Sequence, residues 1–178
     1  MLDPLLITLE LTRARAAEDP YAFAAGNQSY LLREAGGVYD SFEIAWDEAL
    51  ARDLLQLAQP EAPADLVARM GERLRQILLI AGWERHDQEI GDAARAGRRV
   101  IVDFLSAAAE LYSLPWELIP LQSTGKPLAE LPQVLIRYAW PATRSVSAQS
   151  PLEGGRILFA WSDAGGAVPW EAQEQALR

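Results

Sequence analysis

The amino-acid sequence predicts an α/β fold in which helices flank a sheet. Apolar and polar side chains alternate over 5–12, which is the period of a strand with one buried face. Apolar residues recur at three- and four-residue intervals over 63–78, as in an amphipathic helix. The run 98–105 is nearly continuous in apolar residues, as in a strand buried on both faces. Strands that come before and after helices indicate an α/β architecture.

Three strands are predicted at the start of the chain. The apolar side chains of the first are Leu5, Ile7, Leu9 and Leu11. Two further runs, 29–34 and 38–45, flank Gly36 and Gly37, where a positive φ carries little cost. This arrangement predicts a hairpin, and the three strands are expected to form an antiparallel sheet. Residues 16–28 are interpreted as a loop or a short helical turn.

Three helices are predicted next. Asp47 caps the first, which carries several leucines and ends at Pro60 and Pro63. The second begins near Pro63 and has an apolar stripe made of Leu66, Val67, Met70, Leu74, Ile77 and Leu78. We expect this stripe to pack against the sheet, and the alternative is a groove for a partner helix. A short polar helix over 87–96 leads through Gly97 into a central strand.

The segment after the central strand contains a turn and a further strand. The alanines of 106–111 favour a helical turn, and 123–127 contains the Gly and Pro that mark a turn. Residues 134–140 have the composition of a strand.

The end of the sequence predicts a linker followed by an incomplete unit. Residues 141–155 are rich in Ser, Ala, Pro and Gly, which is typical of a linker. After it we expect a buried strand over 156–161, a loop over 162–169 and the start of a helix over 170–178. A parallel crossover needs a second strand, so this last strand-helix unit is expected to be incomplete.

Composition excludes several classes of function. The net charge of −9 disfavours nucleic acid, and Arg95, Arg98 and Arg99 are interpreted as solvated ends of a helix and a strand. The 178 residues include no cysteine, which excludes disulfides and a thiol nucleophile in this chain. No basic leader and no spanning apolar run is found, so we expect a cytoplasmic protein without a membrane partner.

One short motif stands out between apolar neighbours. It consists of Leu114, Pro115, Trp116, Glu117 and Leu118, and we call it the Pro-Trp-Glu block. Pro115 suits the first position of a helix, and Trp116 should be buried with a partner for its indole N–H. Glu117 is expected to face the positive end of a helix or to accept backbone N–H groups. A structural role is favoured over a catalytic one because no base adjoins Glu117 in sequence.

The block and its neighbours resemble the CHAT family of caspase-like, separase-related cysteine peptidases. The matching segments, in the same order, are the strand and block of 98–119, the strand of 133–138 with its Arg137-Tyr138 pair, and the strand of 155–162. The resemblance implies a caspase-like or pseudo-caspase sheet flanked by helices. It also implies that 1–140 is a pseudo-protease support subdomain, 141–155 a linker and 156–178 the truncated start of the protease subdomain.

The resemblance further implies where the chemistry lies. The His and Cys of the family follow the strand and helix predicted over 156–178, so this chain alone is not expected to be an enzyme. It is expected to be the N-terminal scaffolding or regulatory part of a cysteine endopeptidase. The expected partners are the remaining half of the caspase-like domain or a companion chain, a tetratricopeptide-repeat domain, and a protein substrate. The alternative is a stand-alone, non-enzymatic pseudo-protease module in a bacterial defence or regulatory complex.

The remaining candidate residues give weaker predictions. His86 has polar neighbours and is interpreted as an ordinary surface or capping histidine. A candidate ligand or substrate loop contains Ser162, Asp163, Gly165 and Gly166, because glycine loops after parallel strands bind ligands in α/β folds. A half-domain that binds a small molecule through this loop is a third hypothesis. Gly125-Lys126 is followed by Pro127, which does not suit a phosphate loop, so no cofactor is expected, and the scattered carboxylates predict no metal site.

Overall fold

The computed structural model describes residues 3–15, 19, 22–34 and 36–141. All of them belong to the first of the two units into which the chain divides, Met1–Thr143. They form a mixed five-stranded sheet flanked by three helices, which confirms the predicted α/β class and is compatible with a caspase-like sheet. Residues 142–178, with most of the predicted linker and the predicted strand-helix unit, lie outside the described residues. The predicted division into subdomains therefore stays a prediction.

The predicted strands and helices of the described residues are found in the predicted order, with two further short strands that were not predicted. The strands are β1 (Leu5–Arg13), β2 (Gly26–Glu34), β3 (Asp40–Trp46), β4 (Val100–Ser106), β5 (Pro120–Leu121), β6 (Lys126–Pro127) and β7 (Val134–Ala139). The helices are α1 (Glu48–Leu57), α2 (Ala64–Leu79) and α3 (Trp83–Arg95). Three 3₁₀ turns lie at Ala109–Ser113, Trp116–Leu118 and Leu128–Glu130.

The large sheet has the strand order β3-β2-β1-β4-β7. β2 pairs antiparallel with β1 and β3, and β4 pairs parallel with β1 and β7. The predicted hairpin is confirmed, with Gly36 at a φ of 81°. The predicted antiparallel arrangement of the first three strands is confirmed, but these strands belong to a larger mixed sheet, because β1 also pairs in parallel with β4, which begins nearly a hundred residues away. Alternation within one strand does not reveal such a partner.

The core lies on one face of the sheet. Alternate residues of β1 and β4 are buried there, beginning with Ile7 and Val100. The helices add the buried side chains Leu50, Leu66, Met70, Leu74, Leu78, Trp83 and Ile90. The stripe predicted on α2 therefore packs in the core rather than forming an open groove, with Val67 and Ile77 at its half-buried margin.

The opposite face of the sheet is not part of that core, and we call it the open face. Leu6 of β1, Ile101 of β4 and Leu135 of β7 lie side by side in register across it. None of the three belongs to the core cluster, and Leu6 and Leu135 are 56% and 54% exposed. β4 was expected to be buried on both faces, and this prediction is wrong: its residues alternate between buried and half-buried.

Local signals explain where the helices begin. The Asp47 side chain accepts a hydrogen bond of 2.9 Å from the Leu50 N–H, as predicted for an N-cap. α2 begins directly after Pro63, as predicted. α3 begins at Trp83, four residues earlier than predicted, because Gly82 adopts a left-handed conformation (φ 76°) that separates it from α2.

None of the helices in the described part of the chain combines the length and the apolar character that a bilayer crossing would need.

Candidate functional site

The Pro-Trp-Glu block lies between β4 and the small β5-β6 hairpin. Pro115 precedes the three-residue 3₁₀ turn, and Trp116 opens it. Trp116 is buried and its ring stacks on Phe104 of β4, with centroids 4.8 Å apart. Its indole N–H donates a 2.9 Å hydrogen bond to the carbonyl oxygen of Leu111. The prediction of a buried tryptophan with a partner for its N–H is confirmed.

Glu117 connects the block to β7. Its carboxylate accepts a 2.9 Å hydrogen bond from the hydroxyl of Tyr138. Burial and the negative charge of Glu117 both raise the pKa of Tyr138. The predicted partners were backbone N–H groups at a helix start. The turn that follows Pro115 is only three residues long, and the carboxylate reaches the neighbouring strand instead.

Arg137 does not join the block. Its Nε and Nη2 atoms each lie 2.6 Å from a carboxylate oxygen of Asp103, directly opposite in β4. Successive residues of a strand point to opposite faces, so Arg137 lies on the open face while its neighbour Tyr138 contacts the block. Arg137 and Tyr138 therefore make their contacts on opposite faces of the sheet, both at its β7 edge.

The two remaining members of the block are apolar contacts. Leu114 is buried in the core, and Leu118 is half-buried against it. The backbone of Leu118 lies so close to Gly71 of α2 that a Cβ atom at position 71 would overlap its carbonyl oxygen. The block therefore contacts β4 through Trp116 and α2 through its backbone at Leu118, so it holds the two elements together.

A buried network beside the block was missed by sequence reasoning. The fully buried carboxylate of Glu110 accepts hydrogen bonds from Arg13 Nε (2.8 Å) and the Tyr30 hydroxyl (2.7 Å). The Trp46 indole N–H donates to the Tyr30 hydroxyl at 2.6 Å. Burial alone would raise the pKa of Glu110, but the bonds from Arg13 and Tyr30 outweigh burial and lower it. Burial and the bond to Glu110 raise the pKa of Tyr30.

This network joins β1, β2 and β3 to the turn after β4. Its members are up to 97 positions apart in the chain, so no local pattern connects them. One signal was available: Glu110 is a lone carboxylate in a run of small and apolar residues, and such a carboxylate needs a partner when it is buried.

The turn around Gly125 is held by α3. The Asp87 carboxylate accepts hydrogen bonds from the backbone N–H groups of Gln122 (2.7 Å) and Ser123 (2.9 Å). The Ser123 hydroxyl donates to the Asp87 carbonyl oxygen at 2.8 Å. The predicted turn is confirmed, and its two N–H groups are already occupied by a carboxylate of this chain.

His86 is not a surface residue, so that prediction is wrong. It is 2% exposed, and its Nδ1 and Nε2 atoms lie 3.2 Å and 3.6 Å from Glu89 and Glu34. Its sequence neighbours are polar, but α3 begins early enough to turn this position toward the core together with Trp83 and Ile90. Its recorded polar contacts are both carboxylates, which gives it no nucleophile to activate.

Ser162, Asp163, Gly165 and Gly166 lie outside the described residues. Within the described ranges, no group of three or more His, Asp or Glu side chains is placed to hold a metal ion. The described residues therefore form a set of side-chain contacts, centred on the buried Trp116 and Glu110, that join strands, turns and helices.

Comparison with known proteins returns no match, whether against family models, curated proteins or solved structures.

Proposed function

We propose that this chain is the N-terminal scaffolding and regulatory part of a CHAT-type, caspase-like cysteine peptidase whose His-Cys dyad lies outside it. This proposal rests on the sheet, of which the described helices cover one face only. A sheet with parallel strands in an α/β protein is normally covered on both faces, because both faces of its strands are apolar. Here the open face presents the row of Leu6, Ile101 and Leu135 without a covering helix among the described residues.

The edge at β7 supports the same proposal. β7 pairs with β4 on one side only within the described residues, and each of its residues is half-buried or exposed. An edge strand carries a row of backbone N–H and C=O groups that a further strand can pair with. The remaining half of a caspase-like domain would complete this sheet, either in the same polypeptide or in a companion chain. It would cover the open face and pair with the β7 edge.

In this proposal, the Pro-Trp-Glu block holds the edge strand β7 in a fixed position. Trp116 anchors the turn to β4, and Glu117 holds Tyr138 of β7. The edge strand is thus held by a side-chain hydrogen bond to a turn that is itself anchored by the buried Trp116. A rigid edge is the requirement for a surface that positions the catalytic half of an enzyme.

The alternative is a stand-alone pseudo-protease module that docks a partner in a bacterial defence or regulatory complex. The observation in its favour is that the described residues enclose a core of their own and that the whole chain has no cysteine. Both proposals place the protein in the cytoplasm. They differ in whether the partner of the open face carries a catalytic dyad.

A co-purification experiment separates the two proposals. The tagged protein is isolated from its source cells, and partners are treated with a thiol-reactive peptidase inhibitor that carries a fluorophore. We expect a polypeptide that contains or accompanies this chain to be labelled at a cysteine. A specific partner that never labels would favour the binding module.

Two variants test the role of the open face. Leu135→Asp places a charge on the open face, and Val38→Asp introduces the same charge at an 86% exposed valine in the turn between β2 and β3. Both positions are exposed, so both variants should fold. We expect Leu135→Asp to lose the partner and Val38→Asp to retain it, and equal retention by both would contradict the proposed surface.

A further inference from the structure

A second site lies away from the block and the open face, between α1 and the end of β3. It is a cavity of about 360 Å³, which lies within the size range of small-molecule pockets, roughly 300–1,000 Å³. Its apolar walls are Phe23, Trp46, Ala51, Leu54 and Leu55. Phe23 and Leu55 are large side chains that are 57% and 70% exposed, so apolar surface is open at the mouth of the cavity.

The polar side chains in the lining are Asp47 and Ser113. The Oδ1 atom of Asp47 caps α1, and its other carboxylate oxygen makes no hydrogen bond within the described residues. The Ser113 hydroxyl already donates its proton to the carbonyl oxygen of Glu110 at 2.6 Å. Only the lone pairs of its oxygen remain for a ligand, and these accept hydrogen bonds. Both side chains can therefore only accept hydrogen bonds from a ligand.

The aromatic wall adds to this preference. Phe23 and Trp46 meet edge to face, with centroids 5.2 Å apart and an interplanar angle of 77°. The Trp46 N–H is occupied by the Tyr30 hydroxyl, which locks the indole and leaves its ring as the contact surface. Aromatic faces attract cations, and a wall that is already ordered reduces the entropy lost on binding.

We propose that this cavity binds a small organic cation: a primary ammonium group on an aromatic or aliphatic body. The ammonium group supplies the donors that Asp47 and Ser113 lack, and the body fills the apolar part of the cavity. The same chemistry is found in a free amine and in a lysine side chain. This site is independent of the proposed peptidase function.

Three probes of similar shape test the charge requirement: phenethylammonium, 2-phenylethanol and phenylacetate. Binding to the full chain is followed by saturation-transfer NMR and by the shift of the Trp46 indole N–H signal. We expect dissociation constants on the order of millimolar for the ammonium, weaker binding of the alcohol and none of the carboxylate. Equal binding of all three would overturn the proposal.

Two variants locate the site. Asp47→Asn keeps an acceptor for the helix cap and removes the charge, and we expect it to weaken phenethylammonium binding about threefold to fivefold. Ala51→Leu fills the cavity and should abolish binding. Ala68→Leu makes the same change at an exposed position of α2, away from the cavity, and should bind as the parent does. Unchanged binding by Ala51→Leu would overturn the proposal.

Competition distinguishes the two sources of the cation. The competitor is Nα-acetyl-lysine amide, which keeps the side-chain ammonium group. If it displaces phenethylammonium at similar concentration, the site is assigned to a lysine side chain of a protein partner. Failure of that compound to compete assigns it to a free amine.

Discussion

Single buried side chains contribute much of the stability of the fold, and Trp116 is the clearest case. Its ring stacks on Phe104 and its N–H is satisfied by Leu111, so both its apolar body and its polar atom are accommodated. A buried aromatic of this size removes a large apolar surface from water. Loss of the side chain would leave a cavity between β4 and the block.

We therefore expect Trp116→Ala to lower the free energy of unfolding by about 3–5 kcal/mol, measured by urea denaturation. Trp116→Phe retains an aromatic ring but loses the bond to Leu111, so its loss should be smaller. An alanine variant that melts within a few degrees of the parent would contradict the role of Trp116 as a buried anchor.

The buried pair of Glu110 and Arg13 predicts a pH dependence. Glu110→Gln leaves the Arg13 cation without its counter-charge and should cost about 3–5 kcal/mol at neutral pH. The pKa of Glu110 is lowered in the folded state, so its stabilisation is present above the ordinary glutamate value of 4.5 and is lost as the pH falls below it. The stability difference between parent and variant should shrink on acidification.

Urea titrations of both proteins from neutral to acidic pH measure this difference. Asp103→Asn is the control, because it breaks the bidentate ion pair with the half-exposed Arg137 and should cost about 1 kcal/mol or less. A constant gap between the parent and Glu110→Gln across the acidic range would show that Glu110 is not ionised in the folded protein.

At the scale of residues, the sequence predicts whether a side chain is buried or needs a hydrogen bond. It predicts less well which residue is the partner. Burial of Trp116 followed from its size and its apolar neighbours. The partner of Glu117 could not be predicted, because Tyr138 is brought to it by pairing of β7 with β4. His86 was misjudged because it follows the exposed Glu84 and Arg85 in sequence, whereas the α3 face that carries it turns inward.

Among the elements, α2 depends on a glycine. Gly71 lies in the middle of the helix, where glycine lowers helix stability, yet no side chain fits between α2 and the carbonyl of Leu118. The contact joins the block to the helical layer. This close approach explains a residue that helix propensity alone disfavours.

Gly71→Ala should therefore destabilise the protein by about 1–3 kcal/mol through overpacking, even though alanine is the better helix former. Thermal unfolding of this variant is compared with that of Ala68→Gly, at an exposed position of the same helix, which should lose about 1 kcal/mol through propensity alone. A gain in stability for Gly71→Ala would rule out the close backbone contact.

Element types were predictable where a pattern is local. The cap at Asp47, the start of α2 at Pro63, the stripe of α2 and the hairpin at Gly36 all follow from neighbouring residues. The pairing of β1 with β4 could not be predicted, because parallel partners are joined by long connections. The start of α3 depends on the conformation of Gly82, which a short polar segment does not reveal.

At the scale of the whole molecule, the described helices cover one face of the sheet. Its helix-facing side encloses a core of aliphatic and aromatic residues, whereas the open face carries Leu6, Ile101 and Leu135 together with the pair of Asp103 and Arg137. The sequence indicates apolar strands, but which face is covered depends on how the helices return to the sheet. The proposed peptidase half gives this face its partner.

The most direct test of the central proposal is the intact mass of the native protein from its source cells, combined with labelling by a thiol-reactive peptidase inhibitor. Our account predicts a mass above that of these 178 residues, or a second co-purifying chain, with the label on a cysteine. A single species with the mass of this chain and no labelled partner would contradict it.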